Sequence, residues 1–153
     1  MSLRERWIDW SRGDDLRAFW RLFRKREGTQ SKWLRSLYTL RLGRLAQKHG
    51  GYVGPGAVIK EIPSLPHGLH GVYISRYAVI GAGCRIYQNV TIGEVDGAAP
   101  RIGDQCLIGA GAVLVGDIRI GNRVKIGAGA VVPFDVPDGA TVVAQPPRVM
   151  IKE

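Results

Sequence analysis

The chain has 153 residues, 45% of them hydrophobic, with 21 Gly and a formal net charge of +9 at pH 7. That length holds one domain with at most a small appendage, the composition excludes a disordered chain, and no segment approaches the roughly 18 consecutive apolar residues of a membrane span. Charge from Arg4 onward leaves no apolar signal core, so a cytoplasmic protein is expected.

The positive charge is concentrated at the start. Residues 1–50 carry thirteen Lys and Arg against five acids, whereas the remaining 103 carry nine against eight. Leu16, Phe19, Trp20 and Phe23 recur at i, i+3, i+4 and i+7 behind the capping candidates Asp14 and Asp15, which predicts a helix broken by Gly28 to Ser31. A second stripe, Trp33, Leu34, Leu37, Tyr38, Leu42 and Leu45, predicts a helix that stops at Gly50 and Gly51. This basic helical segment also holds all four tryptophans, Trp7, Trp10, Trp20 and Trp33. It has two readings: a cap that hides strand edges or packs on a neighbouring subunit, and a peripheral foothold on anionic lipid at the inner face of a membrane. No nucleic-acid reader motif accompanies the charge, so no nucleic-acid partner is expected.

Residues 51–153 have a different periodicity. Large aliphatics recur every six residues at Ile74, Ile80, Ile86 and Ile92, then at Ile102, Ile108, Leu114, Ile120, Ile126 and Val132. Four positions after each stands a second, mostly small residue: Ala78, Cys84, Val90, Cys106, Ala112, Ile118, Val124, Ala130 and Val136. Gly often follows the aliphatic directly, as at Gly81, Gly93, Gly103, Gly109, Gly121 and Gly127. Each hexad therefore reads as a short strand plus a tight turn, and three hexads close one triangular coil. No hexad can bury its inward face alone, so the coils must stack around an aliphatic column. Cys84 and Cys106 fall on inward positions one coil apart and are expected as reduced core thiols rather than a disulfide or a metal pair.

The column is interrupted twice. Val53, Ile59 and Leu65 keep the spacing, but Leu65 to Ile74 is three residues too long, and Ile92 to Ile102 four too long. An insertion in a solenoid leaves the column as a loop, and loops on rigid scaffolds carry function. Two of the three histidines, His67 and His70, lie in the first loop. Histidine is the side chain best suited to take and return a proton near neutral pH, which makes His67 the candidate base.

Residues Val53 to Arg148 resemble the hexapeptide-repeat acyltransferases, in particular the serine acetyltransferase branch. Pro55-Gly56-Ala57 matches a Pro-Gly-Ala turn ahead of the family's catalytic histidine. Gly71-Val72-Tyr73-Ile74 is similar to Gly-Val-Val-Val, Tyr87-Gln88-Asn89-Val90-Thr91-Ile92-Gly93 to a segment containing Gln-Gly-Val-Thr-Leu-Gly, and Ala144-Gln145-Pro146-Pro147-Arg148 to Gly-Val-Pro-Ala-Arg. The sequence departs from the pattern at Tyr52 and Pro66, where the family has aspartates, and at Ala98 and Ala99, which replace an Arg-His pair. One extra residue also separates His67 from Gly71.

The resemblance implies a left-handed parallel β-helix that assembles as a homotrimer and acts as an acetyl-CoA-dependent O-acetyltransferase without a metal. In it His67 deprotonates an acceptor alcohol, serine or a sugar hydroxyl of a polysaccharide precursor, which attacks the thioester directly. It also implies that acetyl-CoA runs along the turns at Gly109, Ala110, Gly127 and Ala128. Arg148 and Lys125 offer positive charge for its phosphates, and a backbone N–H near Gly93 is the candidate donor to the developing oxyanion. Two other classes use this solenoid: a non-catalytic scaffold or binding subunit, and a γ-class carbonic anhydrase. The latter needs three histidines on one metal, and the column region offers His67 and His70.

Overall fold

The computed structural model describes Trp7 and residues 15–146. Helix α1 (Arg17–Gly28) buries Phe19, Trp20 and Phe23, and Leu16 is buried at its N-cap, which completes the stripe expected from the periodicity. Asp15 serves its first turn, accepting a hydrogen bond from the Arg17 backbone N–H at 3.1 Å; Asp14 lies outside the described residues. Helix α2 (Lys32–Lys48) is capped by Ser31, whose hydroxyl accepts from the Leu34 N–H, and buries Leu42 and Ala46. Trp33 heads the stripe read from sequence but is 72% exposed, because the buried face of α2 is set by its contact with α1 and the first coil.

The remaining chain forms short strands: β1 (Tyr52–Val53), β2 (Val58–Ile59), β3 (Tyr73–Ile74), β4 (Val79–Ile80), β5 (Arg85–Ile86), β6 (Thr91–Gly93), β7 (Arg101–Ile102), β8 (Leu107–Ile108), β9 (Val113–Val115), β10 (Arg119–Ile120), β11 (Lys125–Ile126), β12 (Val131–Val132) and β13 (Thr141–Val142). They stack in parallel as three sheets: β1-β3-β6-β9-β12, β2-β4-β7-β10 and β5-β8-β11-β13. From β3 to β12 every third strand joins the same sheet, so the chain winds as a triangular, left-handed parallel β-helix.

Register follows the hexads. Ile74, Ile92, Leu114 and Val132 stack in the first sheet, Ile80, Ile102 and Ile120 in the second, and Ile86, Ile108 and Ile126 in the third, all buried. The smaller series from Ala78 to Val136 is buried as well. Val136 has a different role from the one its hexad position predicts: it pairs with Ile120, and Val142 pairs with Ile126, so the last coil contracts by two residues. Cys84 and Cys106 are buried free thiols that donate to the carbonyls of Gly103 and Gly121 at 3.2 and 3.0 Å. Contact with Cys106, and then burial, pushes the Cys84 thiol above its ordinary value.

The helices close the open end of this column. Arg24 Nη1 donates to the Ile59 carbonyl at 3.0 Å and Arg26 Nη1 to the Pro55 carbonyl, covering first-coil oxygens that have no coil above them. The buried face of α1 joins one core with Val53, Ala57 and Ile59. The apolar stripe of α1 is thus used inside the fold, as the capping reading requires.

Candidate active site

Both insertions border the first sheet, on opposite edges. The His67 loop precedes β3 at the corner where the third sheet turns into the first, and residues 94–100 follow β6 at the corner where the first turns into the second. Each is tied down locally. In the first, Gly68 N–H bonds the Leu65 carbonyl at 3.1 Å, the Gly71 N–H bonds Gly50 at 2.8 Å, and the His70 carbonyl accepts from Asn89 N–H at 2.9 Å. Gly68 and Gly71 adopt φ of 62° and 67°, which glycine tolerates without penalty. Leu69 points inward, fully buried, and fills the column where the extra residues would otherwise open it. In the second loop, Glu94 accepts a hydrogen bond from Ser75, the sole polar side chain buried in the described core, and Ser75 Oγ accepts from the Tyr77 N–H at 3.1 Å.

His67 stands exposed at its corner, its ring 6.0 Å from that of Tyr87 and tilted by 48°. That ring contact is its one described interaction, and no carboxylate hydrogen-bonds it among the described residues. Pro66 and Tyr52 account for this: the positions that bear aspartates in the family pattern carry no acid here. Tyr52 instead stacks on Tyr73, ring centroids 5.0 Å apart.

Descending from His67, the same corner carries Tyr87-Gln88-Asn89, then Gly109-Ala110-Gly111, then Gly127-Ala128-Gly129. These turns are laced by Gly111 N–H to the Gln88 carbonyl at 3.0 Å and Gly129 N–H to the Ala110 carbonyl at 2.9 Å. Four of the residues expected along the donor path therefore share an edge with the candidate base. Gly109 is required there, since a Cβ on it would stand 2.6 Å from the Ala128 nitrogen. Gly93 lies elsewhere, in β6 on the opposite edge of the first sheet, paired with Val115. Arg148 falls outside the described residues.

One residue was not singled out as a site candidate. Gln88 Oε1 is buried and has no hydrogen-bond partner among the described residues, next to Asn89, whose N–H bonds the His70 carbonyl of the His67 loop. A buried acceptor left unpaired costs free energy, and a ligand donor at this corner would relieve it. The sequence offered a signal in the Gln of the matched segment, but not its burial. Among the described residues no three His, Cys, Asp or Glu are grouped closely enough to hold a metal ion.

The family model for bacterial transferase hexapeptide (six repeats) matches residues 99–133. A probable serine acetyltransferase of Oryza sativa subsp. japonica is 40% identical over 111 residues, 70% of this chain and 36% of the relative. The serine acetyltransferase of Bacillus subtilis is 41% identical over 104 residues, 65% of this chain and 48% of the relative. Among solved structures, Neisseria gonorrhoeae serine acetyltransferase in complex with serine superposes with a TM-score of 0.74 at 34% identity, covering 84% of this chain and 54% of that one. Soybean serine acetyltransferase complexed with serine gives 0.74 at 35%, covering 86% and 56%. The chain is a hexapeptide-repeat protein. Its solenoid is homologous to the serine acetyltransferases, and it spans about a third to a half of the length of these curated relatives.

Proposed function

We propose that the protein is an acetyl-CoA-dependent O-acetyltransferase that uses His67 as general base. The observation that carries this reading is the alignment of His67, Gly109, Ala110, Gly127 and Ala128 along one corner of a fold shared with serine acetyltransferases. Acetyl-CoA lies along the small-residue turns, and the acceptor alcohol meets the thioester beside His67. Imidazole removes the hydroxyl proton, the oxygen attacks the carbonyl carbon, and the tetrahedral adduct collapses with cleavage of the C–S bond. The imidazolium returns its proton to the departing thiolate, and because the acceptor oxygen itself attacks the thioester, no acyl-enzyme forms. Such a base contributes about 10²–10⁴ in rate, and joint binding of both reactants contributes more.

Gln88 Oε1 supplies a buried acceptor for an amide N–H of the donor or the hydroxyl of the acceptor. Serine is the acceptor the relatives' names give. A sugar hydroxyl is the second reading, favoured by the uncharged aromatic stack of Tyr52 on Tyr73 where the family pattern carries an acid. The corner completes its cleft against a neighbouring subunit in a homotrimer, with Arg148 reaching donor phosphate. A cytoplasmic location accords with this reading, and no described helix is long and apolar enough to cross a membrane. The test is release of CoA thiol from acetyl-CoA with serine and a panel of sugar hydroxyls side by side. No release with any acceptor would favour a non-catalytic scaffold.

A further inference from the structure

The strongest unassigned feature lies at the same end of the solenoid as the His67 loop but at a different corner, where α2 leans over the turn between the first and second sheets of the first coil. A cavity of about 760 Å³ opens there, walled by Leu37, Leu40, Val53 and Pro55 on its apolar side and by Arg26, Arg41, Arg44 and Arg76 on its polar side. A second hollow of about 410 Å³, between α1 and α2, shares Arg41 and Arg44 and adds Arg21 and Lys25. No acidic residue lines either one among the described residues.

Surface arginines are usually dispersed or paired, and these are neither. Arg26 is held in place by Nε to Thr39 Oγ1 at 2.8 Å and Nη1 to the Pro55 carbonyl. Burial, and then repulsion from Arg35, lowers its pKa from the ordinary value. The side chains of Arg41, Arg44 and Arg76 make no hydrogen bond or ion pair among the described residues. Arg41 and Arg44, three apart on α2, project from one wall, and Arg76 from the solenoid opposite. Like charges converging on one hollow repel one another, and the repulsion ends when an anion enters. Guanidinium forks match phosphate oxygens in bidentate geometry, and the apolar wall accommodates a carbon framework beside the charge.

We propose that this cavity, which the His67 corner does not line and which borders the first sheet at Tyr52, is a binding site for a phosphate- or diphosphate-bearing molecule. The shared chemistry is the phosphoryl group, whether on a soluble metabolite or a lipid headgroup.

The test is calorimetric titration of the full chain with inorganic diphosphate at low ionic strength. Saturable binding is expected, weakened about tenfold by Arg44→Gln and by Arg76→Gln, the loss of one charge-assisted contact. Arg119→Gln, exposed on the second sheet, should bind like the parent. Because each cavity variant removes repulsion, its melting temperature should not fall. Sedimentation with phosphatidylcholine vesicles containing phosphatidic acid identifies the source. Vesicle binding displaced by diphosphate assigns a lipid headgroup, and diphosphate binding without vesicle binding assigns a soluble ligand. Absence of saturable binding, or equal weakening by Arg119→Gln, would overturn the proposal. The readout is binding rather than turnover, so it stands or fails independently of the acetyltransferase reading.

Discussion

Replacing Gly109 by Ala tests whether coil spacing at the His67 corner depends on a missing side chain. The added Cβ would lie 2.6 Å from the Ala128 nitrogen and 2.8 Å from both the Gly127 carbonyl carbon and the Ile126 oxygen. All three are backbone atoms of the coil below, and that coil is fixed to this one by Leu107 on Lys125 and Ile108 on Ile126. No rotamer change relieves the overlap, so the turns must separate. Overpacking of this kind costs about 1–3 kcal/mol. At about 2–4 °C per kcal/mol for a chain of this size, the melting temperature should fall by roughly 2–12 °C. Thermal unfolding followed by circular dichroism reads this directly, with acetyl-CoA affinity measured on the same samples and expected to weaken. Gly28→Ala is the control, since a Cβ there meets nothing within 4 Å. If Gly109→Ala melts with the parent and binds the donor as well, the close approach of coils at this corner is not what shapes the site.

Gln88→Leu separates ligand recognition from folding. An unpaired buried polar atom costs about 1–3 kcal/mol, so the variant should melt at or above the parent temperature while turnover falls; loss of both together would make Gln88 structural only. Acid stability tests the ladder at the corner between the second and third sheets. There Asp104 accepts from the Ala82 N–H at 2.8 Å and pairs with Lys60 at 3.0 Å. The backbone bond first, and Lys60 second, hold the Asp104 carboxyl below its usual range. Its contribution is therefore present above the unfolded value of about 3.9 and is lost as pH falls through the lower folded one. Asp104→Asn should flatten the loss of melting temperature on acidification in that window; an unchanged pH profile would remove Asp104 from the account.

The column was legible because its signal is redundant: every inward aliphatic from Ile74 to Val132 repeats the same steric requirement, and any three place the rest. Even the relation between the loops follows by counting, since one insertion precedes a first-sheet residue, Ile74, and the other follows one, Ile92. Features that depend on contact across coils were not legible. Leu69 sits in an irregular segment, so no period marks it as core, although it fills the column completely. The exposure of Trp33 follows from how α2 docks, which its own stripe does not encode. Ser75 meets Glu94, and Arg26 meets Pro55, across 19 and 29 residues of chain, distances over which a single sequence carries no pairing information. Of the candidate site, the residue types at His67 and the glycine turns could be read from the chain, whereas Gln88 acquires meaning only from its burial, and Gly93 from the edge it occupies.

His67 carries the proton in the proposed acyl transfer. Steady-state thiol release by His67→Ala, set beside its acetyl-CoA affinity, measures this most directly. Turnover is predicted to fall about 10²–10⁴-fold with donor affinity retained, and turnover equal to the parent would contradict the account.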